Sequence, residues 1–386
     1  MNSAIEKIGY DNCTGCYGCY NKCKIDGAIK MELTNDGFYK PLITNKCVGC
    51  GKCQEACPVI LKINNNKKEE IKAYAAWSKD NNILLNSSSG GMFSEIAKYF
   101  LENNGIVFGA KWDNGEVKHC SISDLKDLSS LQKSKYLQSK VDNSYNEVKE
   151  YLDNNKKVLF VGTPCEVAAL RTLVTHKNLY IIDFVCHGIP SYKAYEKYVN
   201  ERFNCEINEV ETDFRNKETK GWKIYYIYSI YNKYKNTIKE KNSENDFFRG
   251  FLKNIYLNKP CYNCEFRTMP RYGDITLADF WGVPKELENH KGTSALLVNN
   301  EKGKEIIEAI KDNIVLYETT YETIHKGNPC LSNYKMSDSK REDFFNDIEK
   351  LSFKELSEKY FKLPNKYIHF IRRVLSFIKR RIIKGV

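Results

Sequence analysis

The sequence contains no apolar run that approaches the roughly 18 residues needed for a membrane-spanning helix. Its mean hydropathy is −0.55, and its N-terminus lacks the apolar core of a secretory signal. We therefore expect a cytoplasmic protein. Disorder is excluded as well, because 42% of the 386 residues are hydrophobic and 13% are aromatic. At roughly 100–200 residues per domain, the length predicts two or three domains.

Without export, the 15 cysteines are poor candidates for disulfides and better candidates for metal ligands. Eight of them form two runs with the spacing C-x2-C-x2-C-x3-C, typical of bacterial two-cluster ferredoxins. In such proteins the fourth cysteine of each run binds the other cluster. The predicted sets are Cys13, Cys16, Cys19 and Cys57, and Cys47, Cys50, Cys53 and Cys23. The alternative is a pair of zinc sites, but zinc usually takes two separated cysteine pairs, so the spacing favours two 4Fe-4S clusters.

Four further cysteines form a weaker group. Two predicted buried strands, 157–161 and 179–185, each lead into a cysteine, as expected at the functional edge of an α/β sheet. A C-x2-C pair comes later in the chain. The four candidate ligands of a third 4Fe-4S cluster are Cys165, Cys186, Cys261 and Cys264. In the alternative, the first two are buried structural thiols and the pair belongs to a zinc site or a redox dithiol.

Composition divides the chain into four regions. Residues 1–62 are predicted to form a small ferredoxin-like module held together by its metal. Residues 73–285 alternate strands with helices and are expected to form a mixed α/β domain. Residues 286–365 are predicted to be helical, and residues 366–386 to form a basic amphipathic tail. The predicted fold class is therefore α+β.

Two helix starts carry recognisable signals. A Ser/Gly-rich loop, 86–91, opens into a predicted amphipathic helix at 92–101. Backbone N–H groups and serine hydroxyls there suit a phosphate, although a well-capped surface helix would have the same sequence. A second helix is predicted to begin at Pro164, with Thr163 and Glu166 forming a capping box.

The last 21 residues contain seven basic residues and no acidic one. Isoleucine and leucine recur there at helical spacing, which predicts an amphipathic helix. Such a helix is suited to rest on an anionic inner leaflet, and the alternative is a helix packed on the protein itself. Without these seven charges the net +11 falls to +4 for residues 1–365, so nucleic-acid binding is not expected.

Several motifs in order carry a resemblance to a known family. They are Ser88–Ser94, Lys135–Ser139, Val161–Arg171, Cys186–Ser191 and Asp274–Gly282. Together with the two cysteine runs, they make the chain resemble the beta subunits of coenzyme F420 (deazaflavin) hydrogenases and dehydrogenases. The resemblance is greater to the stand-alone relatives with an N-terminal ferredoxin module, which are associated with polysaccharide biosynthesis.

The resemblance implies an iron–sulfur flavoprotein with FAD in the α/β domain and a third 4Fe-4S cluster close by. It also implies which residues line the flavin: Ser89, Gly90, Gly91, Gly162, Thr163 and Pro164, with Lys135 near its phosphates or ring. His187 and Lys135 are the candidate catalytic residues. A proton-donor role is predicted for His187, and a structural histidine is the alternative.

The expected activity is an oxidoreductase reaction. Clusters move one electron at a time, whereas a flavin accepts one or two and delivers hydride. We expect electrons from a ferredoxin or another low-potential donor to reach an organic substrate, with lipid-linked or nucleotide-linked sugars as candidates. The rival hypotheses are a non-catalytic polyferredoxin-like carrier and a membrane-docked scaffold.

Overall fold

The computed structural model describes residues 2–62, 71–217, 221–231, 236–332 and 335–363. The basic tail predicted at 366–386 lies outside the described residues. Among those that are described, no helix is both long enough and apolar enough to pass through a bilayer.

The first 62 residues form a small module of short helices and one hairpin. Its elements are helices α1 (Ala4–Ile8), α2 (Gly18–Lys22) and α3 (Pro58–Leu61) and strands β1 (Ile29–Leu33) and β2 (Tyr39–Ile43). The strands pair antiparallel, with Ile29 opposite Ile43. The two cysteine runs lie mainly in the irregular segments before α2 and α3. This agrees with a module whose ligands are presented by loops.

The rest of the chain is organised by strands. They are β3 (Lys72–Ser78), β4 (Ile106–Asp113), β5 (Glu116–Ile122), β6 (Ser139–Lys140), β7 (Val158–Gly162), β8 (Leu179–Phe184), β9 (Glu211–Asn216), β10 (Tyr226–Tyr231), β11 (Asn236–Lys241), β12 (Ile275–Asp279), β13 (Ser294–Val298) and β14 (Ile314–Thr319). Nine of them form one sheet in the order β14-β3-β13-β12-β8-β7-β4-β5-β6. Strands β9, β10 and β11 form a separate antiparallel sheet.

The centre of the large sheet is parallel. Strands β12, β8, β7 and β4 run in the same direction, and antiparallel pairs flank them on both sides. Parallel strands are covered on both faces, which explains the nearly continuous apolar sequence of β7 and β8. Their carboxyl ends meet at one edge, where the chain continues into segments 162–165, 185–188 and 279–282. The strands predicted at 105–112, 157–161 and 179–185 are confirmed.

Helices cover the two faces of this sheet. They are α4 (Asn81–Leu85), α5 (Met92–Glu102), α6 (Leu128–Leu131), α7 (Ser144–Asp153), α8 (Pro164–Leu173), α9 (Tyr192–Phe203), α10 (Asp246–Leu252), α11 (Glu301–Ile310), α12 (Tyr321–Gly327), α13 (Arg341–Asp347) and α14 (Phe353–Tyr360). Successive strand residues point to opposite faces. Phe160 of β7 therefore packs in the core with α7, α8 and α9, whereas Leu159 packs with α5 and α11.

The prediction of a purely helical region at 286–365 is wrong in one respect. Helices α11 to α14 lie there, but the same region also supplies β13 and β14 to the large sheet. All five residues of β13 are buried, and β14 pairs with β3 at the edge. A short apolar run such as Ser294–Val298 has no periodicity that distinguishes a strand from a buried helical turn. The strand pairing is a property of the tertiary structure.

Candidate electron-transfer site

The first predicted cysteine set comes together in the module. Cys13, Cys16, Cys19 and Cys57 line one small cavity beneath α1 and β2. Burial raises the pKa of Cys13 to about 11 and that of Cys16 to about 12, with the neighbouring Cys57 thiol contributing to both. A buried thiolate is unstable without a compensating positive charge, which bound iron would supply. The four cysteines are thus grouped around one cavity, as the ligands of a cluster would be.

The second set lies closer to the surface. Burial raises the pKa of Cys53, and the neighbouring thiols of Cys47 and Cys23 add to the shift, so these three are close together. The N–H of Ala4 donates to Cys53 Sγ at 3.2 Å. Cys50 is exposed. The second set is therefore more exposed to solvent than the first, in which Cys13 and Cys57 are buried.

Loop glycines make the approach of backbone to sulfur possible. Gly15, Gly49 and Gly51 have φ of +72°, +68° and +73°, a region that favours glycine. At Gly15 an added Cβ would lie 2.3 Å from the Tyr39 carbonyl oxygen. Its N–H lies near Cys13 and lowers the pKa of that thiol against the larger effect of burial. Hydrogen bonds of this kind stabilise cluster sulfurs.

Within the described residues, no three His, Cys, Asp or Glu side chains converge closely enough to hold a single metal ion. The thiols of a cubane bind four different irons and therefore surround a cluster rather than one ion.

The four cysteines of the predicted third set also come together. Cys165 lies in the first turn of α8, and Cys186 follows β8. Cys261 lies on the short 3-10 turn Lys259–Asn263, and Cys264 lies between that turn and the next, Glu265–Arg267. Burial raises the pKa of all four thiols, and the Cys264 thiol contributes to the shifts of the other three. The capping box that positions Cys165 is present, since the Thr163 N–H donates to Glu166 Oε2 at 2.7 Å.

The module is docked against α8, which carries one ligand of the third set. The Tyr145 hydroxyl lies 2.9 Å from the Cys16 carbonyl oxygen and 3.0 Å from that of Glu166. Burial raises the pKa of Cys165, and among the smaller contributions is the thiol of Cys16. The first and third cysteine sets therefore face each other across this contact.

A cavity of about 290 Å³ opens at the carboxyl edge of the parallel strands. Of the residues predicted to line the flavin, Ser89, Gly91, Lys135, Gly162 and Thr163 do line this cavity. Cys186 and His187 line it too, so the third cysteine set forms part of its wall. Its volume is near the lower end of the range for ligand pockets.

Two of the predicted flavin-lining residues, Gly90 and Pro164, do not line the cavity. Gly90 packs behind it, where its N–H donates to Ser294 Oγ at 2.9 Å and a Cβ would lie 2.3 Å from the Ala76 carbonyl oxygen. Pro164 is buried at the first position of α8. Both residues shape the backbone behind the cavity wall, and neither faces the cavity.

One end of the cavity is suited to an anion. Helix α5 begins at Gly91 without a side-chain cap, which leaves its first N–H groups available. The adjacent loop is tied to a second loop, because the Ser134 N–H donates to Ser88 Oγ at 2.9 Å. Lys133 and Lys135 of that second loop line the cavity. Lys133 Nζ pairs with Asp213 at 2.6 Å, and Lys135 Nζ donates to the Gln132 carbonyl oxygen at 2.7 Å. Burial lowers the pKa of Lys135 to about 8.

Residues that the sequence analysis missed also line the cavity. His119 lies 2.7 Å from Ser139 Oγ through Nδ1 and 3.1 Å from the Val161 carbonyl oxygen through Nε2. That carbonyl only accepts, so Nε2 carries the proton and Nδ1 accepts from the serine. Both side chains are buried on strands. A lone histidine on a strand has no sequence signal of its own, whereas Ser139 and Asp279 were within recognised motifs.

Asp279 forms a buried ion pair at the cavity wall. Its carboxylate lies 2.5 Å from Arg215 Nη1, and the guanidinium also donates to the Ser88 carbonyl oxygen at 3.1 Å. The guanidinium stacks over Tyr225, 4.2 Å from the ring centroid. These contacts join the separate three-stranded sheet to the serine loop.

His187 lies where the cavity meets the third cysteine set. Its Nε2 is buried and has no hydrogen-bond partner among the described residues. Burial lowers the pKa of His187, and the Arg267 guanidinium lowers it further. The imidazole is therefore neutral at pH 7, with a buried Nε2 that has no partner among the described residues.

Comparison with known proteins identifies the family. Models for the N-terminal and C-terminal parts of the "Coenzyme F420 hydrogenase/dehydrogenase, beta subunit" match residues 73–144 and 155–323. The chain belongs to this family. Models described as "4Fe-4S binding domain" match residues 10–31 and 41–59, which contain the two cysteine runs. The family resemblance, the fold class and the presence of 4Fe-4S clusters in the module are thus confirmed, and the zinc alternative is set aside.

Two relatives illustrate the likeness. The curated coenzyme F420 hydrogenase subunit beta of Methanococcus voltae is 25% identical over 268 residues, which cover 66% of this chain and 86% of the relative. A chain of the xenon-derivatised F420-reducing [NiFe] hydrogenase complex from Methanosarcina barkeri is 18% identical, with a TM-score of 0.45. That match covers 77% of this chain and 96% of the other. The family models and the 4Fe-4S models together make the protein an iron–sulfur, electron-transferring member of a hydrogenase/dehydrogenase family.

Proposed function

We propose that the protein is an FAD- and 4Fe-4S-dependent oxidoreductase that exchanges single electrons at its ferredoxin module and electron pairs at its cavity. The observation that carries this proposal is the position of Cys186. It belongs to the third cysteine set and also lines the cavity. A cluster held there would border directly on a cofactor in the cavity.

The three cysteine sets lie in an order suited to electron relay. The second set is nearest to solvent, the first is buried in the module, and the third borders the cavity. The Tyr145 contact holds the first and third sets against each other. Electrons that enter at the surface of the module would therefore reach the cavity without crossing open solvent.

The residues around the cavity fit a flavin nucleotide. The uncapped start of α5 and Lys135 suit the diphosphate, because the first supplies hydrogen-bond donors and the second a positive charge. The narrow wall formed by Gly162, Thr163 and Cys186 would face the ring. When bound, FAD supplies the conversion between one-electron and hydride chemistry.

His187 is placed to move a proton. Its unpartnered Nε2 is at the junction of cavity and cluster site, and its lowered pKa keeps it neutral. A neutral imidazole in this position accepts a proton from an organic substrate during oxidation and returns it during reduction. Lys135, with a pKa of about 8, balances negative charge at the end of the cavity beside the start of α5.

Anaerobic purification followed by iron and flavin quantification tests the proposal. Three clusters of four irons predict about 12 irons and one FAD per chain. Dithionite is expected to reduce the clusters and then the flavin reversibly. Iron without flavin, after reconstitution with FAD, would support a non-catalytic carrier instead. Clusters that do not reduce reversibly would support the scaffold hypothesis.

Two further predictions concern the substrate and attachment to the membrane. A sugar-linked substrate is tested by reoxidation of the reduced flavin with nucleotide-linked and lipid-linked sugars. Peripheral attachment to an anionic leaflet rests on the tail at 366–386 and is tested by flotation with anionic vesicles. Deleting residues 366–386 is expected to abolish salt-sensitive binding, and unchanged flotation would contradict it.

A further inference from the structure

The surface around the second cysteine set combines an exposed ligand, exposed lysines and an exposed apolar side chain. We propose that this surface, formed by Lys24, Lys46, Lys52, Val48 and Cys50, docks a small acidic electron-carrier protein. The inference rests on the proposed function, because it assigns the place where single electrons enter or leave. It is called the basic docking surface below.

The lysines are placed directly beside the ligands. Each of the three neighbours a cysteine of the second set in sequence: Lys24 follows Cys23, Lys46 precedes Cys47 and Lys52 precedes Cys53. All three lysines are exposed. Three of the four ligands therefore carry a positive charge next to them on the protein surface.

These charges are not neutralised by carboxylates within the described residues. Lys46 Nζ lies 3.4 Å from the Asp26 carbonyl oxygen, which is a backbone contact. Of the acidic residues nearby, Glu55 pairs with Lys22 at 3.0 Å. Glu6 accepts from the Ser3 N–H at 2.9 Å and completes a capping box. The lysines of the basic docking surface are thus left to interact with a partner.

An exposed apolar side chain lies in the same loop, next to Cys47. Val48 is 71% exposed, more than any other large hydrophobic side chain reported for the described residues. It is two residues from the exposed Cys50. Protein interfaces commonly have an apolar centre and a polar rim, and this arrangement has both. Steering by the rim would bring a partner to the point where a cluster lies closest to solvent.

The opposite side of the module cannot serve the same purpose. There Gly18 lies against α8, and a Cβ added to it would be 2.4 Å from the Ala56 carbonyl oxygen and 3.2 Å from Ala169 Cβ. The first cysteine set is covered by this contact. Electrons exchanged with another protein therefore pass through the second set, and the charges beside that set select an acidic carrier.

Binding of an oxidised plant-type [2Fe-2S] ferredoxin, a small acidic carrier, tests the inference on anaerobically prepared full-length protein. Isothermal titration calorimetry is expected to show affinity that falls about tenfold or more between about 20 mM and about 300 mM salt. A variant with Lys24→Glu, Lys46→Glu and Lys52→Glu is expected to bind about tenfold or more weakly at the lower salt concentration.

The matched control changes the same net charge elsewhere. Lys177, Lys285 and Lys326 are exposed and lie on the α/β domain. Their replacement by glutamate is expected to change affinity by less than about threefold. Equal losses of ferredoxin affinity in the two triple variants would overturn the inference. They would show that the ferredoxin responds to the net charge of the protein and not to this surface. If the first triple variant does not load iron, single Lys46→Gln is measured instead, and an unchanged salt dependence and affinity would overturn it.

A second measurement separates this inference from the proposed function. Dithionite, which needs no docking, reduces the wild-type flavin if the proposed relay exists. Failure of that reduction overturns the relay, whatever the ferredoxin affinity. If dithionite reduces the flavin but ferredoxin binds the first triple variant as it binds wild type, the relay stands and the basic docking surface is wrong.

Discussion

The Tyr145 hydroxyl lies 2.9 Å from the Cys16 carbonyl oxygen, and this contact ties the ferredoxin module to the α/β domain. Tyr145 belongs to α7 and is almost completely buried. Its hydroxyl is also 3.0 Å from the Glu166 carbonyl oxygen, one residue after Cys165. This side chain thus contacts the backbone beside two cysteines, Cys16 and Cys165, that are about 150 residues apart in sequence.

Tyr145→Phe is expected to loosen this contact. Removing the hydroxyl leaves buried carbonyl oxygens without a donor, which costs about 1–3 kcal/mol. Hydrogen–deuterium exchange of residues 13–19 is expected to become about tenfold faster, since 1.4 kcal/mol corresponds to a factor of ten. Tyr151→Phe, on the same helix, is the control. Equal exchange in Tyr145→Phe and wild type would contradict the assigned role.

Gly18→Ala is expected to disturb the module by steric conflict, inside the module at Ala56 and less severely against α8 at Ala169. A Cβ at this position would lie 2.4 Å from the Ala56 carbonyl oxygen, which belongs to the backbone and cannot move aside easily. We expect a lower thermal unfolding midpoint and loss of iron from the module. The control is Gly49→Ala, where no atom lies within 4 Å of the added Cβ and only the positive φ of +68° opposes it. A larger effect at Gly49 would show that the close approach at Gly18 is unimportant.

Cys186→Ser tests the third cluster. Serine does not replace the thiolate, so iron is expected to fall from about 12 to about 8 atoms per chain, while flavin is retained. Iron analysis and low-temperature electron paramagnetic resonance measure the loss. Cys205→Ser is the control, because Cys205 lies outside all three sets. Identical iron content in the two variants would show that Cys186 is not a ligand.

Lys135 predicts a pH dependence of flavin binding. Burial lowers its pKa from 10.5 to about 8, so the ammonium form predominates below pH 8 and is lost as the pH rises through that value. A bound diphosphate favours the charged form, so FAD affinity is expected to decrease above pH 8. Fluorescence titration of FAD measures this. Lys135→Arg is expected to remove the decrease, and Lys135→Met to weaken binding about tenfold at pH 7.

The lowered pKa of Lys135 also makes the free energy of unfolding depend on pH. The folded pKa is below the unfolded one, so between pH 8 and 10.5 the unfolded chain holds more protons at Lys135 and stability rises with pH. Below pH 8 the residue is charged in both states, and the cost of burying it is fully present. Lys135→Met is therefore expected to raise the unfolding midpoint of the flavin-free protein at pH 7. A lower midpoint would contradict this sign.

The cysteine spacing and the predicted strands show how far local patterns reach. Eight ligands of the module follow from a spacing rule, because a short loop must wrap three thiolates around one cluster. The strands at 158–162 and 179–184 follow from short buried apolar runs, and the start of α8 follows from its capping box. Strand β13 was missed because its short run of four apolar residues after Ser294 has no distinctive periodicity. His119 was missed because a lone histidine on a strand has no motif.

The sequence by itself determined part of the chemistry that this protein can hold: two cysteine runs with ferredoxin spacing and a serine-rich loop before a helix. Those features are local, since each depends on residue types at short spacing. Only the tertiary structure decided that Cys165, Cys186, Cys261 and Cys264 lie together and that Cys186 also lines the cavity. It also decided which cysteine set faces solvent and which is covered by α8. The physical reason is that parallel strand pairing collects distant segments at one edge of a sheet, and no local pattern encodes that pairing.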